Sequence, residues 1–161
     1  MKTRTALTFL VVLAATIGLG LAAETDLTMQ MGTWKLNEGK SKFAPGATKN
    51  TTVVYSAAGD QIKCVTDGVD KDGKPVHTEW TGKFDGKDYP VTGGAPGTTI
   101  SIKRPDPKDA HTVDWVWKVP GKYTSTGRTV YSKDGKTRVI DDKVVDTSGK
   151  TTTRHRFYER Q

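Results

Sequence analysis

A chain of 161 residues with 25 Lys and Arg against 18 Asp and Glu carries a formal charge of +7, and 34% of it is hydrophobic. That length suits one domain with a core of its own and excludes two domains of ordinary size. A single cysteine, Cys64, excludes an internal disulfide, so packing must hold the fold.

Residues 1–23 have the three parts of a secretory leader: Lys2 and Arg4, an apolar stretch from Ala6 to Leu21, and the small residues Gly20, Ala22 and Ala23. The stretch falls short of the roughly 20 apolar residues that span a bilayer, and Thr8, Thr16, Gly18 and Gly20 dilute it. The expectation is a signal peptide over 1–23, a mature domain over 24–161, and a periplasmic or secreted location without a transmembrane anchor. No cysteine follows the cleavage region, so no bacterial lipid anchor is expected. Losing Lys2 and Arg4 brings the mature charge to about +5. Export and the alternation of lysines with aspartates argue against a nucleic-acid partner. Anionic envelope polymers and lipid head groups stay open as partners, beside a solvated surface that binds nothing.

After the leader no segment keeps a 3.6-residue apolar period, while β-branched residues and threonines dominate. The pattern predicts strands near 32–37, 51–57, 61–68, 76–84, 88–92, 98–104, 111–119, 122–132, 137–146 and 151–159. Asp72-Gly73, Asp85-Gly86 and Asp134-Gly135 fall between them as hairpin turns able to supply positive φ, and Gly59-Asp60 and Ser148-Gly149 are weaker versions. Hairpin after hairpin implies neighbouring strands paired in sequence order. Such a sheet must close or leave long edges exposed, so the fold class is an all-β, antiparallel up-and-down barrel of about eight to ten strands.

Two connections break the rhythm. Residues 38–50 are too polar for a core element, and the expectation is a crossing of one barrel mouth with Phe43 as anchor. Residues 93–98, Gly93-Gly94-Ala95-Pro96-Gly97-Thr98, read as a connector whose glycines permit close backbone approach or motion.

Gly32-Thr33-Trp34 on the first strand resembles the opening signature of lipocalins. The longer set Gly32-Thr33-Trp34-Lys35-Leu36-Asn37, Lys40-Ser41-Lys42-Phe43, Asp67-Gly68-Val69-Asp70 and Phe84-Asp85-Gly86-Lys87-Asp88-Tyr89-Pro90-Val91 resembles a group of exported bacterial lipocalin-like (calycin-type) proteins of uncharacterised function. The resemblance implies a lipocalin/fatty-acid-binding-protein-like barrel and no activity. It also implies closure by Gly32 and Trp34, with an arginine of the last strand over the indole, worth about 0.5 to 2 kcal/mol. Arg154, Arg156 and Arg160 share one face of that strand, and an antiparallel last strand beside the first makes Arg156 or Arg160 the candidates. The chain lacks the disulfide pattern and amphipathic C-terminal helix of typical lipocalins.

Val113, Trp115, Trp117 and Val119 share one strand face, and Val76, Thr78, Trp80, Gly82 and Phe84 share another. Pointing inward, they either fill a core or line a pocket, with Tyr123, Ser125, Thr129 and Tyr131 adding polar atoms. The candidate ligand residues are therefore Trp80, Trp115, Trp117, Tyr123 and Tyr131.

Catalysis finds no nominee. His77, His111 and His155 have no metal-site spacing and read as surface or rim residues, so no metal or other cofactor is expected. There is no nucleophile elbow, phosphate loop or carboxylate pair with a partner. Asp141, Asp142 and Asp146 read as decoration of an exposed strand, and Cys64 as a small buried hydrophobe. Two functions follow: a barrel holding a small, largely apolar or amphiphilic molecule, or a filled, non-catalytic barrel binding an anionic envelope polymer or a protein through the lysine-rich turns Lys71–Lys74, Lys83–Lys87 and Lys133–Lys136.

Overall fold

The computed structural model describes residues 27–161; the leader expected over 1–23 lies outside them. Ten strands follow one another: β1 Gly32–Leu36, β2 Lys49–Ala58, β3 Gln61–Val69, β4 Pro75–Gly82, β5 Asp85–Thr92, β6 Thr99–Lys103, β7 Thr112–Val119, β8 Tyr123–Tyr131, β9 Thr137–Asp146 and β10 Thr151–Arg160. Each pairs antiparallel with its sequence neighbours, and β10 returns to β1 in the register Trp34↔Arg160 and Leu36↔Tyr158 to close the barrel. The only helix among the described residues is a single 3-10 turn, Glu38–Lys40.

Period-two alternation sorts the side chains. On β3 Ile62, Cys64, Thr66 and Gly68 are buried in turn, and on β8 Ser125, Gly127, Thr129 and Tyr131 are. The intervening residues face water, so each strand contributes one buried row and one solvated row. Trp34, Val53, Ile62, Cys64, Trp80, Ile100, Ile102, Val113, Tyr131, Ile140 and Tyr158 form one continuous buried cluster.

Several hairpins use an aspartate and a glycine in separate roles. Asp70 Oδ1 accepts the Asp72 and Lys74 backbone N–H groups at 2.8 and 2.9 Å, while Gly73 takes φ +76°. Asp146 repeats this with Ser148 and Lys150, and Gly149 takes φ +82°. Only glycines have positive φ among the described residues, so the aspartates serve as hydrogen-bond acceptors rather than as left-handed residues. Asp85-Gly86 is not a turn: it opens β5, where the register slips between Asp85 and Asp88, and Gly86 at φ +76° supplies the bulge. The preceding strand consequently ends at Gly82, two residues short of Phe84.

The 37–48 connection also differs from the sequence expectation. It does not begin by crossing the mouth but by running along the free edge of β10. Asn37 N donates to Phe157 O, Ser41 Oγ accepts from Phe157 N at 2.9 Å, and Lys42 exchanges both backbone bonds with His155 at 2.7 and 3.0 Å. Five-residue β1 is too short to cover ten-residue β10, and this segment extends the seam.

One barrel end is closed from within. The turn at residues 27–31 lies under it, Trp34 Nε1 donates to Gln30 O at 2.9 Å, Gln30 Nε2 donates to Ala110 O at 3.1 Å, and Arg160 Nη2 donates to Met29 O at 2.7 Å. Trp34 is fully buried, with the Arg160 guanidinium 4.7 Å from its ring centre and Tyr131 edge-on at 5.4 Å. The opposite end, where β5 meets β6 and β7 meets β8, is the mouth.

Candidate functional site

The interior is a funnel. At the mouth a cavity of about 430 Å³ is lined by Thr78, Gly94, Thr98, Lys122 and Tyr123, and narrows to Trp115, Trp117 and Arg156. Those last three also line a deeper chamber of about 90 Å³, whose walls include Tyr55, Cys64, Trp80, Tyr131 and Arg138. The 93–98 loop forms part of the rim. Gly93 fits there because a side chain would stand 2.1 Å from the His77 carbonyl oxygen.

Trp80 and Tyr131 lie in the deep chamber, Tyr123 at the mouth, and Trp115 and Trp117 between. Trp115 is positioned by two features of β8: its Nε1 donates to Thr129 Oγ1 at 3.3 Å, and its ring lies flush on Gly127, where an added Cβ would come within 2.2 Å of it. Of the two closure arginines, Arg160 lies on Trp34, whereas Arg156 is directed into the barrel with its guanidinium 5.7 Å from the Trp115 ring. Four residues separate them on a strand that rises about 3.4 Å per residue, so only one reaches the closed end.

The interior holds charges that sequence reasoning left out. Asp142, read as surface, points inward from β9 and is 5% exposed. Its Oδ1 accepts from Arg156 Nη2 at 2.6 Å, and its Oδ2 accepts from Arg154 Nη2 at 2.5 Å, Arg154 Nε at 2.9 Å and Ser125 Oγ at 2.8 Å. Burial works to raise the Asp142 pKa, but Arg156, Arg154 and the Ser125 hydroxyl outweigh it and hold the carboxyl below its ordinary value.

Arg138, also from β9, is 1% exposed. Its guanidinium is ringed by Trp34 at 4.9 Å, Tyr55 at 5.3 Å and Tyr158 at 4.7 Å. Burial raises the pKa of both Tyr55 and Tyr131 against the opposing pull of this cation, so both phenols stay protonated. The Cys64 thiol, pushed up to about 11 by burial, is neutral and contacts Thr66 Oγ1 at 3.7 Å.

Outside, several charged groups are paired with one another. A groove of about 850 Å³ along the outer faces of β7–β10 contains Arg128, bonded to both oxygens of Asp114 at 2.6 and 2.9 Å, and His155, 2.7 Å from Asp141. His77 lies between Asp67 at 2.7 Å and Glu79 at 3.2 Å on the outer face of β3 and β4, and bonding first to Asp67 and then to Glu79 raises its pKa. Among the described residues no group of three or more His, Cys, Asp or Glu is placed to hold a metal ion.

This architecture is a closed, ten-strand, antiparallel up-and-down barrel with a plugged end and an open one. No family model matches the chain, and no curated protein matches it. Among solved structures it is similar to EF1p2_mFAP2b bound to DFHBI, at 13% identity and TM-score 0.46, covering 86% of this chain and 98% of that one. It is also similar to a redesigned β barrel, mFAP1, bound to DFHBI, at 11% identity and TM-score 0.44, covering 85% and 99%.

Proposed function

We propose that this protein is a carrier or sensor of a small, largely apolar molecule taken into the barrel through its mouth, and that it acts outside the cytoplasm of a bacterium after loss of residues 1–23, as exported lipocalin-like proteins would. The observation that carries the reading is the funnel itself. Its outer cavity of about 430 Å³ falls within the roughly 300–1,000 Å³ of small-molecule sites and has indole walls from Trp115 and Trp117. A filled barrel would have no such space. The electrostatic alternative has less to work with at two of its three turns, because Lys71 pairs with Asp72 at 2.8 Å, Lys83 with Asp60, and Lys87 with Asp85 at 3.7 Å.

Titration of the mature domain with a series of single-chain amphiphiles tests this. Binding in the funnel shifts tryptophan emission to shorter wavelength and raises Tm, by about 2.7 kcal/mol of added stability at a hundredfold excess over Kd. A series that changes neither emission nor Tm would refute the carrier reading.

A further inference from the structure

We propose that the outer wall of the barrel is a second binding surface, where the groove over β6–β10 takes a linear acidic polysaccharide carrying one carboxylate per disaccharide. This goes beyond the carrier reading, because no part of it depends on what the funnel holds.

The groove is lined by two complete rows of outward side chains in register. One row runs Ser101, Val116, Thr126, Lys143, Thr153, each residue directly opposite the next on the neighbouring strand. The adjacent row, two residues away on every strand, runs Lys103, Asp114, Arg128, Asp141, His155 and ends at Lys42, which bridges to His155. Every member of both rows lines the cavity of about 850 Å³. At about 4.8 Å per strand the rows extend about 19 Å from β6 to β10, and about 24 Å to Lys42. That length suits an extended polymer rather than a compact ligand.

Charge alternates along the second row, and its acids are committed. Asp114 accepts two bonds from Arg128 at 2.6 and 2.9 Å, and Asp141 lies 2.7 Å from His155. The lysines of the groove are not committed. Lys42, Lys103 and Lys143 are exposed and make no ion pair or side-chain hydrogen bond among the described residues. Every other lysine on a strand has a partner: Lys35 has Thr52, Lys49 has Glu38, Lys63 has Glu79, Lys87 has Asp85 and Lys118 has Asp88. The strands thus pair their lysines everywhere except along this groove, which leaves three cations for an anion from outside.

Spacing selects the kind of anion. Lys103 and Lys143 stand three strands apart and Lys143 and Lys42 two, so the unpaired cations recur at about 10 to 14 Å across the sheet. A nucleic-acid strand has one phosphate per about 3.4 Å and would set much of its charge against Asp114 and Asp141. An acid on alternate sugars spaces its carboxylates on the scale of the lysines, with neutral hydroxyl-bearing stretches between. The protein has hydroxyls at the matching places. Thr126 lies between Lys103 and Lys143, Thr153 between Lys143 and Lys42, and neither they nor Ser101 makes a side-chain hydrogen bond among the described residues. A hydroxyl both donates and accepts, which is what sugar hydroxyls require.

The test measures binding of hyaluronate oligosaccharides by titration calorimetry at low ionic strength, beside uncharged chitin oligosaccharides and heparin oligosaccharides of equal length. Hyaluronate is expected to bind at least about tenfold more tightly than the uncharged chain, and no more weakly than heparin. Lys103→Gln combined with Lys143→Gln should weaken hyaluronate about tenfold. Lys133→Gln combined with Lys136→Gln removes the same charge from the turn at the plugged end and should change the affinity by less than about twofold. Each substituted side chain is exposed, and an unchanged Tm verifies that both variants fold. Tighter binding of heparin refutes the spacing, and equal losses in the two double variants reduce the attraction to net charge and refute the groove. Equal affinity for the uncharged chain, or no binding of hyaluronate, overturns the proposal outright and leaves the carrier reading standing.

Discussion

Replacing Arg138 by methionine sets two accounts of this residue against each other, because they predict opposite signs for stability. If the ring of aromatics satisfies the cation, truncating it loses three cation–π contacts at about 0.5 to 2 kcal/mol each, with no compensation. If burial outweighs the rings, the barrel bears the desolvation of a charge, several kcal/mol, on a guanidinium that has the Tyr131 hydroxyl beside it but no well-formed hydrogen bond. Methionine is unbranched and similar in length, so it fills the space among Trp34, Tyr55 and Tyr158 with little strain. Exchanges of buried ionic groups for apolar ones of like volume are often neutral or stabilising by about 1 to 4 kcal/mol. The expected result lies between, a gain of about 1 to 3 kcal/mol, or a Tm rise of about 3 to 10 °C for a domain of this size. Urea unfolding followed by tryptophan emission, with thermal melts by circular dichroism, measures it on ligand-free protein. A loss of about 2 kcal/mol or more would refute the reasoning, since it would make Arg138 a structural cation satisfied by its rings.

Asp142→Ala should do the reverse and cost about 3 to 5 kcal/mol in urea midpoints, because it strands two arginines that share one carboxylate. The Asp142 carboxyl is depressed in the fold, so its stabilisation is present above the unfolded value near 3.8 and is lost as pH falls through the folded value; unfolding curves taken at falling pH should show a steeper acid limb in the wild type than in the variant, which keeps the contributions of other depressed carboxylates such as Asp114 and Asp70. His77 runs the other way: its raised pKa gives stability that is complete below the unfolded value of 6.5 and is lost as pH rises through the folded one, and His77→Gln should remove that slope from Tm plotted against pH. Gly127→Ala should displace the Trp115 ring, cost about 1 to 3 kcal/mol by overpacking, and change the near-ultraviolet circular dichroism; an unaltered spectrum would mean the ring is not held there.

The strands were legible because one row of each is apolar or small and the other polar, and because glycines punctuate them. Trp34 and the arginine over it could be placed by parity and by the antiparallel return of β10. Strand β9 shows where that reasoning stops. Its inward row, Arg138, Ile140, Asp142, and its outward row, Val139, Asp141, Lys143, mix charge and hydrocarbon alike, so alternation alone does not say which faces the core. The signal that would have helped lies in the partners: β9 pairs Arg138 with Tyr131 and Tyr158, and Asp142 with Gly127 and Arg154, all on rows whose direction is readable. Asp85-Gly86 misled for a different reason. The same dipeptide serves a tight turn or a bulge, and only the spacing to the next strand separates the two.

The ring is completed by residues at opposite ends of the polypeptide. Trp34 is matched with Arg160, and the Gln161 amide donates to the Thr33 carbonyl at 3.0 Å. Nine hairpins zip locally, but the tenth seam requires nearly the whole molecule to be present at once. Until it forms, β1 and β10 offer two unsatisfied margins to any other chain nearby, which makes this the slow and hazardous step of assembly. Shortening the C-terminus by a few residues should therefore yield fibrils or exchanged dimers rather than a slightly weaker monomer.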